Sequence, residues 1–273
     1  MSETIRRFLR ARHGRSGAAE FRKILGVLPL NTPAYQYQSI AHMEATAHSL
    51  DHNAYEFCIF FAVPRNFLDR DGRRDRKFGT LKYYTEINIL ILKMTTGMHC
   101  AATRRLDLFI VDKVRAMGMD PDTDLRFTGS KEFNGKEADA SYLPQQLLVG
   151  RASDWPSVAL EVGWTESHRA LLEDARQWLG GSGGLVRCVI AMKIARMLVT
   201  IRKYVRQQNG HIRTIQNITI RNQQQGQIRV RHGPLIIPFQ DLFLRQPTQG
   251  QGDLVITTAD LQVWAQRIWA ELG

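Results

Sequence analysis

The spacing of apolar and polar positions changes from helical to strand-like near residue 120. Thr80 to Thr95 and Met98 to Met117 both repeat apolar residues at intervals of three and four, which predicts two helices separated near Gly97. Beyond Asp120 the apolar positions alternate with polar ones, as in half-buried strands. The predicted strands are Leu125–Thr128, Glu137–Tyr142 and Ser157–Gly163.

A strand–helix–strand unit follows in the middle of the chain. Thr165 or Ser167 is a candidate N-cap for a helix that continues to Leu179, with apolar residues along one side. The next apolar run, Leu185–Ile194, predicts a central strand. A crossover of this length joins parallel strands, so the sequence predicts an α/β fold.

The segment before residue 90 has weaker signals. Residues 1–27 predict a short basic helix interrupted by Gly14 and Gly17. Tyr55–Val63 is an apolar, β-rich run and predicts a buried strand. Residues 65–79 alternate positive and negative charges densely, which indicates an exposed loop.

The segment after residue 200 is predicted to hold a basic connection and then short strands. These strands lie at Ile215–Arg221 and Gln227–Arg231. The last predicted element is an amphipathic helix over Thr258–Leu272, capped by Thr257 or Thr258.

Charge narrows the choice of partner. The 273 residues include 37 Lys and Arg against 26 Asp and Glu, a net charge of +11. Residues 1–90 carry +5, residues 91–190 carry −1 and residues 191–273 carry +7. A basic excess of this size favours a polyanionic partner, nucleic acid first and a membrane surface second.

The number and spacing of the cysteines bear on the cellular compartment of the protein. Cys58, Cys100 and Cys188 are widely spaced and form no CxxC motif, which argues against a disulfide framework and a cysteine-rich zinc site. No apolar run approaches the length of a membrane span. We therefore expect an intracellular protein of the nucleus or cytoplasm that does not enter a membrane.

Three carboxylates in the predicted strands are candidates for chemistry. Asp139 and Glu161 lie on neighbouring strands, and Glu137 projects from the same side of its strand as Asp139. Carboxylates brought together repel one another, so they share a proton or bind a divalent cation. The competing interpretation is that they are solvated surface residues.

Four segments together resemble one enzyme superfamily. They are TGSKEFNGKEADASYLP (128–144), DWPSVALEVGWTESHRALLEDARQWL (154–179), GLVRCVIAMKI (184–194), and a tail with GPLIIPFQDLFLRQP (233–247) and GDLVITTADLQVWAQRIW (252–269). Their order and spacing resemble the PD-(D/E)XK nuclease-like superfamily, in particular an uncharacterised fungal branch. The resemblance implies a restriction-endonuclease-like core, a mixed sheet flanked by helices, over about 98–200. In this interpretation residues 1–90 are an N-terminal extension, residues 91–273 are the nuclease-like domain, and residues 201–273 are its β-rich and helical tail.

The resemblance also assigns roles to residues. Asp139 takes the place of the family Asp and Glu161 that of the acidic residue in (D/E)XK, whereas Gly163 stands where the family has Lys. The implied metal ligands for Mg²⁺ or Mn²⁺ are Asp139 and Glu161, with Glu137 in support. The candidates for the missing basic group are Lys193, Arg176 and Lys136.

Three functional hypotheses remain open. The first is metal-dependent phosphodiester hydrolysis of DNA or RNA, in which Asp139, Glu161, Lys193 and Arg176 are the candidate catalytic residues. The second is a catalytically degenerate nuclease fold that binds nucleic acid or a protein, because the motif lacks its Lys. The third is a homo-oligomer formed through the apolar helices predicted at 80–117.

Overall fold

The computed structural model describes most of the chain in ten segments. They are residues 3–26, 28–51, 54–67, 80–94, 97–129, 132–133, 136–151, 155–164, 166–223 and 226–271. Most of the loop predicted at 65–79 lies outside these segments. Among the described residues, no helix is long and apolar enough to cross a membrane.

The chain divides into two compact units. The first unit comprises Met1–Gly97 with Thr165–Ala170, and the second comprises Met98–Trp164 with Leu171–Gly273. The sequence analysis drew its boundary at residue 90 and did not anticipate that residues 165–170 group with the N-terminal segment.

The first unit combines two helices with a small sheet. Its elements are α1 (Glu3–Leu25), β1 (Ala34–Gln36), α2 (Ile40–Ser49), β2 (Phe57–Phe61), β3 (Thr80–Tyr84), a 3₁₀ turn (Thr85–Ile87) and β4 (Ile89–Lys93). The strand order is β1-β2-β4-β3, with β1 parallel to β2 and the other pairs antiparallel. The strand predicted at Tyr55–Val63 is therefore confirmed, whereas α1 is continuous through Gly14 and Gly17.

The helix predicted over Thr80–Thr95 is wrong, because this segment forms β3 and β4. Strand β4 is buried on both faces, with Ile89 and Ile91 in one apolar cluster and Leu90 and Leu92 in another. In a strand that is buried on both faces, apolar residues do not alternate with polar ones. Its continuous apolar run therefore also contains apolar residues at intervals of three and four, the spacing that predicts a helix. These side chains are buried within their own unit, which removes this part of the surface proposed for self-association.

The second unit is built on a mixed sheet. Among the described residues, seven strands form it: β5 (Leu125–Phe127), β8 (Ala140–Pro144), β9 (Val158–Gly163), β10 (Cys188–Ala195), β11 (Leu198–Arg206), β12 (Ile212–Asn222) and β13 (Ile228–Arg231). Their order across the sheet is β13-β12-β11-β10-β9-β8-β5. The remaining strands are β6 (Glu132–Phe133), β7 (Lys136–Glu137), β14 (Leu235–Ile237) and β15 (Leu254–Ile256), which form two antiparallel pairs, β6 with β7 and β14 with β15.

Helices flank the sheet, so the protein belongs to the α/β class. They are α3 (Gly97–Ala116), α4 (Pro121–Asp124), α5 (His168–Gly181), α6 (Phe239–Phe243) and α7 (Thr258–Ala270). Helix α5 joins the parallel strands β9 and β10, which confirms the predicted crossover. The predicted basic connection after residue 200 is shorter than expected: its first residues continue β11, which ends at Arg206 and pairs antiparallel with β10 and β12, and only residues 207–211 connect β11 to β12.

The two faces of the sheet are covered differently. Val158, Leu160 and Val162 point into a core that includes residues of α3 and α7, and we call this side the α3/α7 face. Ala159 points the other way and packs with Trp178 of α5, on what we call the α5 face. Because side chains alternate along a strand, Glu161 belongs to the α5 face.

Helix α7 begins with a capping box that includes an ion pair to α3. Thr257 Oγ1 accepts from the Asp260 amide, and Asp260 Oδ2 accepts from the Thr257 amide. Lys113 Nζ lies 3.0 Å from Asp260 Oδ2. Burial raises the pKa of Asp260, but the hydrogen bonds from Lys113 and Thr257 outweigh it, so this pKa lies below its ordinary value.

Replacing Asp260 with alanine should lower the free energy of unfolding by about 1 kcal/mol at pH 7, because it removes one half of the capping box. The folded-state pKa of Asp260 is lowered, so this stabilisation is present above the unfolded pKa of about 3.9 and is lost as the pH falls through the folded pKa. Urea unfolding at pH 7 and at a series of acidic pH values measures both effects. Asp112→Ala, at an exposed position of α3, is the control, and an equal loss in both variants would contradict the prediction.

Candidate active site

Glu161 is a carboxylate buried in the centre of the sheet. Its side chain arises from β9 and the residue is only 2% exposed. Trp178 on α5 donates its indole N–H to Glu161 Oε1 at 2.5 Å. A buried carboxylate needs such donors, because desolvation without compensating hydrogen bonds is costly. The crossover helix therefore supplies a polar contact as well as apolar cover.

Asp139 lies opposite Glu161 on the neighbouring strand. It immediately precedes β8, whose register pairs Ala140 with Leu160. The Asp139 amide donates to the Leu160 carbonyl at 3.1 Å, and Asp139 Oδ2 accepts from the Val162 amide at 2.6 Å. These two contacts bind Asp139 to the residues on either side of Glu161, so both predicted acidic residues are brought together from adjacent strands.

Lys193 reaches the same region from β10. In the parallel register, Ala191 pairs with Glu161 and Lys193 pairs with Gly163. Lys193 therefore projects from the α5 face, beside Gly163, the position to which the sequence resemblance assigns a Lys. Its Nζ donates to the main-chain carbonyl of Trp164, the residue after Gly163.

The other sequence-predicted residues belong to α5 and β7. Arg176 is on the exposed side of α5 and lies 3.4 Å from Glu173, whereas Trp178 occupies the buried side of that helix. Glu137 is in β7, where it pairs with Glu132 of β6. The side chain of Lys136 lies outside the described part of the structure.

The donor set at Asp139 and Glu161 fits a hard cation. Mg²⁺ is commonly held in proteins by one or two carboxylates and completes its shell with water and phosphate oxygens. Within the described segments, no group of three or more His, Cys, Asp or Glu side chains is arranged to hold a metal. Asp139 and Glu161 therefore supply two carboxylates from adjacent strands.

An acidic residue on the first helix of the second unit has a different environment. Asp107 of α3 accepts a hydrogen bond from the Tyr142 hydroxyl at 2.7 Å. Burial raises the pKa of Asp107, although this hydrogen bond lowers it in part, and burial also raises the pKa of Tyr142. Tyr142 packs in the α3/α7 core, so Asp107 lies on the opposite face of the sheet from Glu161.

A second buried ionisable group also belongs to the α3/α7 face. Lys203 is 3% exposed, and its ammonium donates to the Ile236 carbonyl at 2.5 Å. Burial lowers the pKa of Lys203, while Cys188 and Asp241 nearby raise it in part. Burial raises the pKa of Cys188 to about 12, so this free thiol is not an activated nucleophile.

Trp178 is the site residue that the sequence analysis did not single out, because it is one of the apolar residues along one side of the predicted helix. The sequence did contain a signal, because a buried strand carrying a Glu is followed directly by a helix whose buried side includes an indole donor. A buried tryptophan N–H usually finds a hydrogen-bond partner. Only the packing of α5 on β9 identifies Glu161 as that partner.

Two comparisons with known proteins gave no match. No protein-family model matches the chain. No curated protein matches its sequence either.

Replacing Trp178 with phenylalanine removes the indole N–H but keeps an aromatic ring, so it tests the contact with Glu161. We expect Trp178→Phe to cost about 1.5–3 kcal/mol for the lost donor to a carboxylate. Trp264→Phe is the control, because that buried indole donates to the neutral Ala102 carbonyl at 3.2 Å. Loss of this hydrogen bond should lower the free energy of unfolding by about 0.5–1.5 kcal/mol.

Urea unfolding of both variants, with and without Glu161→Met, isolates the pairwise interaction, because methionine has no oxygen to accept the indole N–H. A Trp178→Phe cost that stays the same in the Glu161→Met background would show that the hydrogen bond does not contribute.

Proposed function

We propose that this protein is a metal-dependent nuclease with a restriction-endonuclease-like core, acting on phosphodiester bonds of DNA or RNA. The observation that carries the proposal is the convergence of Asp139, Glu161 and Lys193. Asp139 precedes β8 opposite Glu161 of β9, and Lys193 of the next strand, β10, projects from the same face of the sheet as Glu161. Two carboxylates can hold a divalent cation that assists phosphodiester cleavage, and an ammonium group can stabilise the charge that develops on the phosphate.

The arrangement also offers a basic group near Gly163, where the motif lacks its lysine. The motif lacks a lysine at that position, but Lys193 is its register partner on the next strand. A glycine leaves the space beside it open to the longer side chain of its neighbour. The ammonium group of Lys193 would then stabilise the negative charge that develops on the phosphate during cleavage.

The remaining contacts hold the acidic groups in place. The Val162 amide orients Asp139, and the Trp178 indole orients Glu161. Such supporting donors fix the direction of ligand oxygens. A divalent cation bound by Asp139 and Glu161 would supply Lewis acidity toward the phosphate and activation of water.

A second candidate function is a nuclease fold that binds nucleic acid, or a protein, without cutting it. The observation that favours it is the burial of Glu161, which is 2% exposed and engaged by Trp178. A carboxylate that is buried and already accepts a hydrogen bond from the protein is less available as a ligand for a cation. Calorimetry with Mg²⁺ or Mn²⁺ separates the two functions, because only the nuclease requires metal binding at Asp139 and Glu161.

The nuclease proposal predicts that Asp139→Asn and Glu161→Gln each reduce cleavage of DNA or RNA by at least about 100-fold in the presence of Mg²⁺ or Mn²⁺. Lys193→Met should have a similar effect, because it removes the ammonium group and keeps the length of the side chain. Glu173→Gln, at an exposed position of α5, is the matched control and should leave cleavage unchanged.

The assay compares the four variants with the wild type on labelled single- and double-stranded substrates. Cleavage that survives both carboxylate substitutions would rule out the proposed site. A wild-type protein that binds nucleic acid but neither cuts it nor binds a divalent cation would establish the second function instead.

A further inference from the structure

Helix α5 covers only part of its face of the sheet. The apolar cluster beneath it includes Ala159, Ala191 and Tyr204 of β11, and Ile212 at the start of β12 packs against it. Beyond this cluster, the same face of β11, β12 and β13 carries polar and basic side chains. Four of them, Arg202, Arg221, Arg229 and Arg231, make up what we call the arginine face.

The strand register places these four arginines on one side of the sheet. Arg221 pairs directly with Arg229, and Arg231 lies two residues further along β13. Arg202 on β11 pairs with Asn217 on β12. The intervening Ile218 and Ile220 point into the α3/α7 core, so the arginines project from the opposite face. Arg221, Arg229 and Arg231 are exposed, and Arg202 is partly buried.

In the described part of the structure, no acidic group neutralises the charges of the arginine face. Residues 175–240 contain no Asp or Glu, although they include eleven Lys and Arg. Across the described segments, no carboxylate lies within 4.0 Å of these four guanidinium groups. Surfaces without a binding role usually mix both signs of charge. An acid-free basic sheet face is therefore complementary to a polyanion.

The arginine face is continuous with the candidate active site. One register row crosses the sheet from Gly163 through Lys193, Thr200 and Thr219 to Arg231. Since neighbouring strands lie about 4.8 Å apart, Arg231 is roughly 14 Å from Lys193 along this row. A single extended polyanion is long enough to contact both.

We infer that the arginine face binds the sugar–phosphate backbone of a nucleic acid strand whose adjoining segment enters the site of Asp139, Glu161 and Lys193. The position of that adjoining segment rests on the proposed function, whereas binding to the arginines does not. Guanidinium forks match phosphate oxygens in bidentate geometry. Contacts of this kind position a strand and give affinity independent of base sequence.

The test measures binding without cleavage. The full-length protein is titrated into a labelled single-stranded oligonucleotide and into its duplex in EDTA, at several salt concentrations. The variant Arg221→Gln/Arg229→Gln/Arg231→Gln is compared with Arg104→Gln/Arg115→Gln/Arg267→Gln. The control triple removes the same charge from exposed positions on α3 and α7.

We expect the arginine-face variant to raise the dissociation constant at least about tenfold, and to reduce the slope of log K against log salt by about 2 for the single strand. The control triple should change the dissociation constant less than about twofold, since a remote charge is screened beyond roughly 10 Å at moderate salt. Circular dichroism and thermal melting verify that both variants fold.

Equal weakening by the two triples would overturn the inference, because it would show that only net charge matters. No binding of either oligonucleotide by the wild type would also overturn it, as would arginine-dependent binding to vesicles of anionic lipid without binding to nucleic acid. The outcome is separate from that of the cleavage assay. Loss of binding in the arginine-face variant supports this inference even if the wild type cuts nothing, in which case only the nuclease proposal fails.

Discussion

The burial of a carboxylate in the middle of a central strand is the constraint on which the second unit depends. Strand β9 is buried along its whole length, yet it carries Glu161. An ionisable group in that position is tolerated only if polar partners replace the water it loses. Trp178 provides one such contact from α5, so the helix has to pack with its indole above the strand.

The same constraint extends to the neighbouring strand. Asp139 uses its main-chain amide and its carboxylate to contact Leu160 and Val162, the residues that flank Glu161. These contacts fix the beginning of β8 relative to β9. The acidic groups are consequently held by the sheet itself, which gives a more defined geometry than a flexible loop would.

The extent of α5 also decides what the rest of its face can do. The apolar cluster of α5 includes Tyr204 of β11, and Ile212 of β12 packs against it, but this cluster contains no residue of β13. Arg221, Arg229 and Arg231 remain exposed there. The opposite side of those strands is occupied by the core with α7, so the two faces have distinct roles in packing and charge.

Local signals explain the successes of sequence reasoning. The crossover from β9 through α5 to β10 was predictable, because its periodicity, its Ser167 cap and its strand lengths are all read from adjacent residues. The alternation in Ser157–Gly163 correctly separates Glu161 from its apolar neighbours. The same pattern led to a wrong prediction at Thr80–Thr95. Strand β4 in this segment is buried on both faces, so it lacks the alternation of apolar and polar residues that identifies a strand.

The sequence by itself determined the α/β class, the capped terminal helix, the distribution of charge and the side of β9 from which Glu161 projects. Each of these depends on residues close together in the chain. Only the tertiary structure decided that Lys193 pairs with Gly163, that Trp178 contacts Glu161 and that the arginines form one face. Strand register and helix packing join residues distant in sequence, and no local pattern specifies which of them meet.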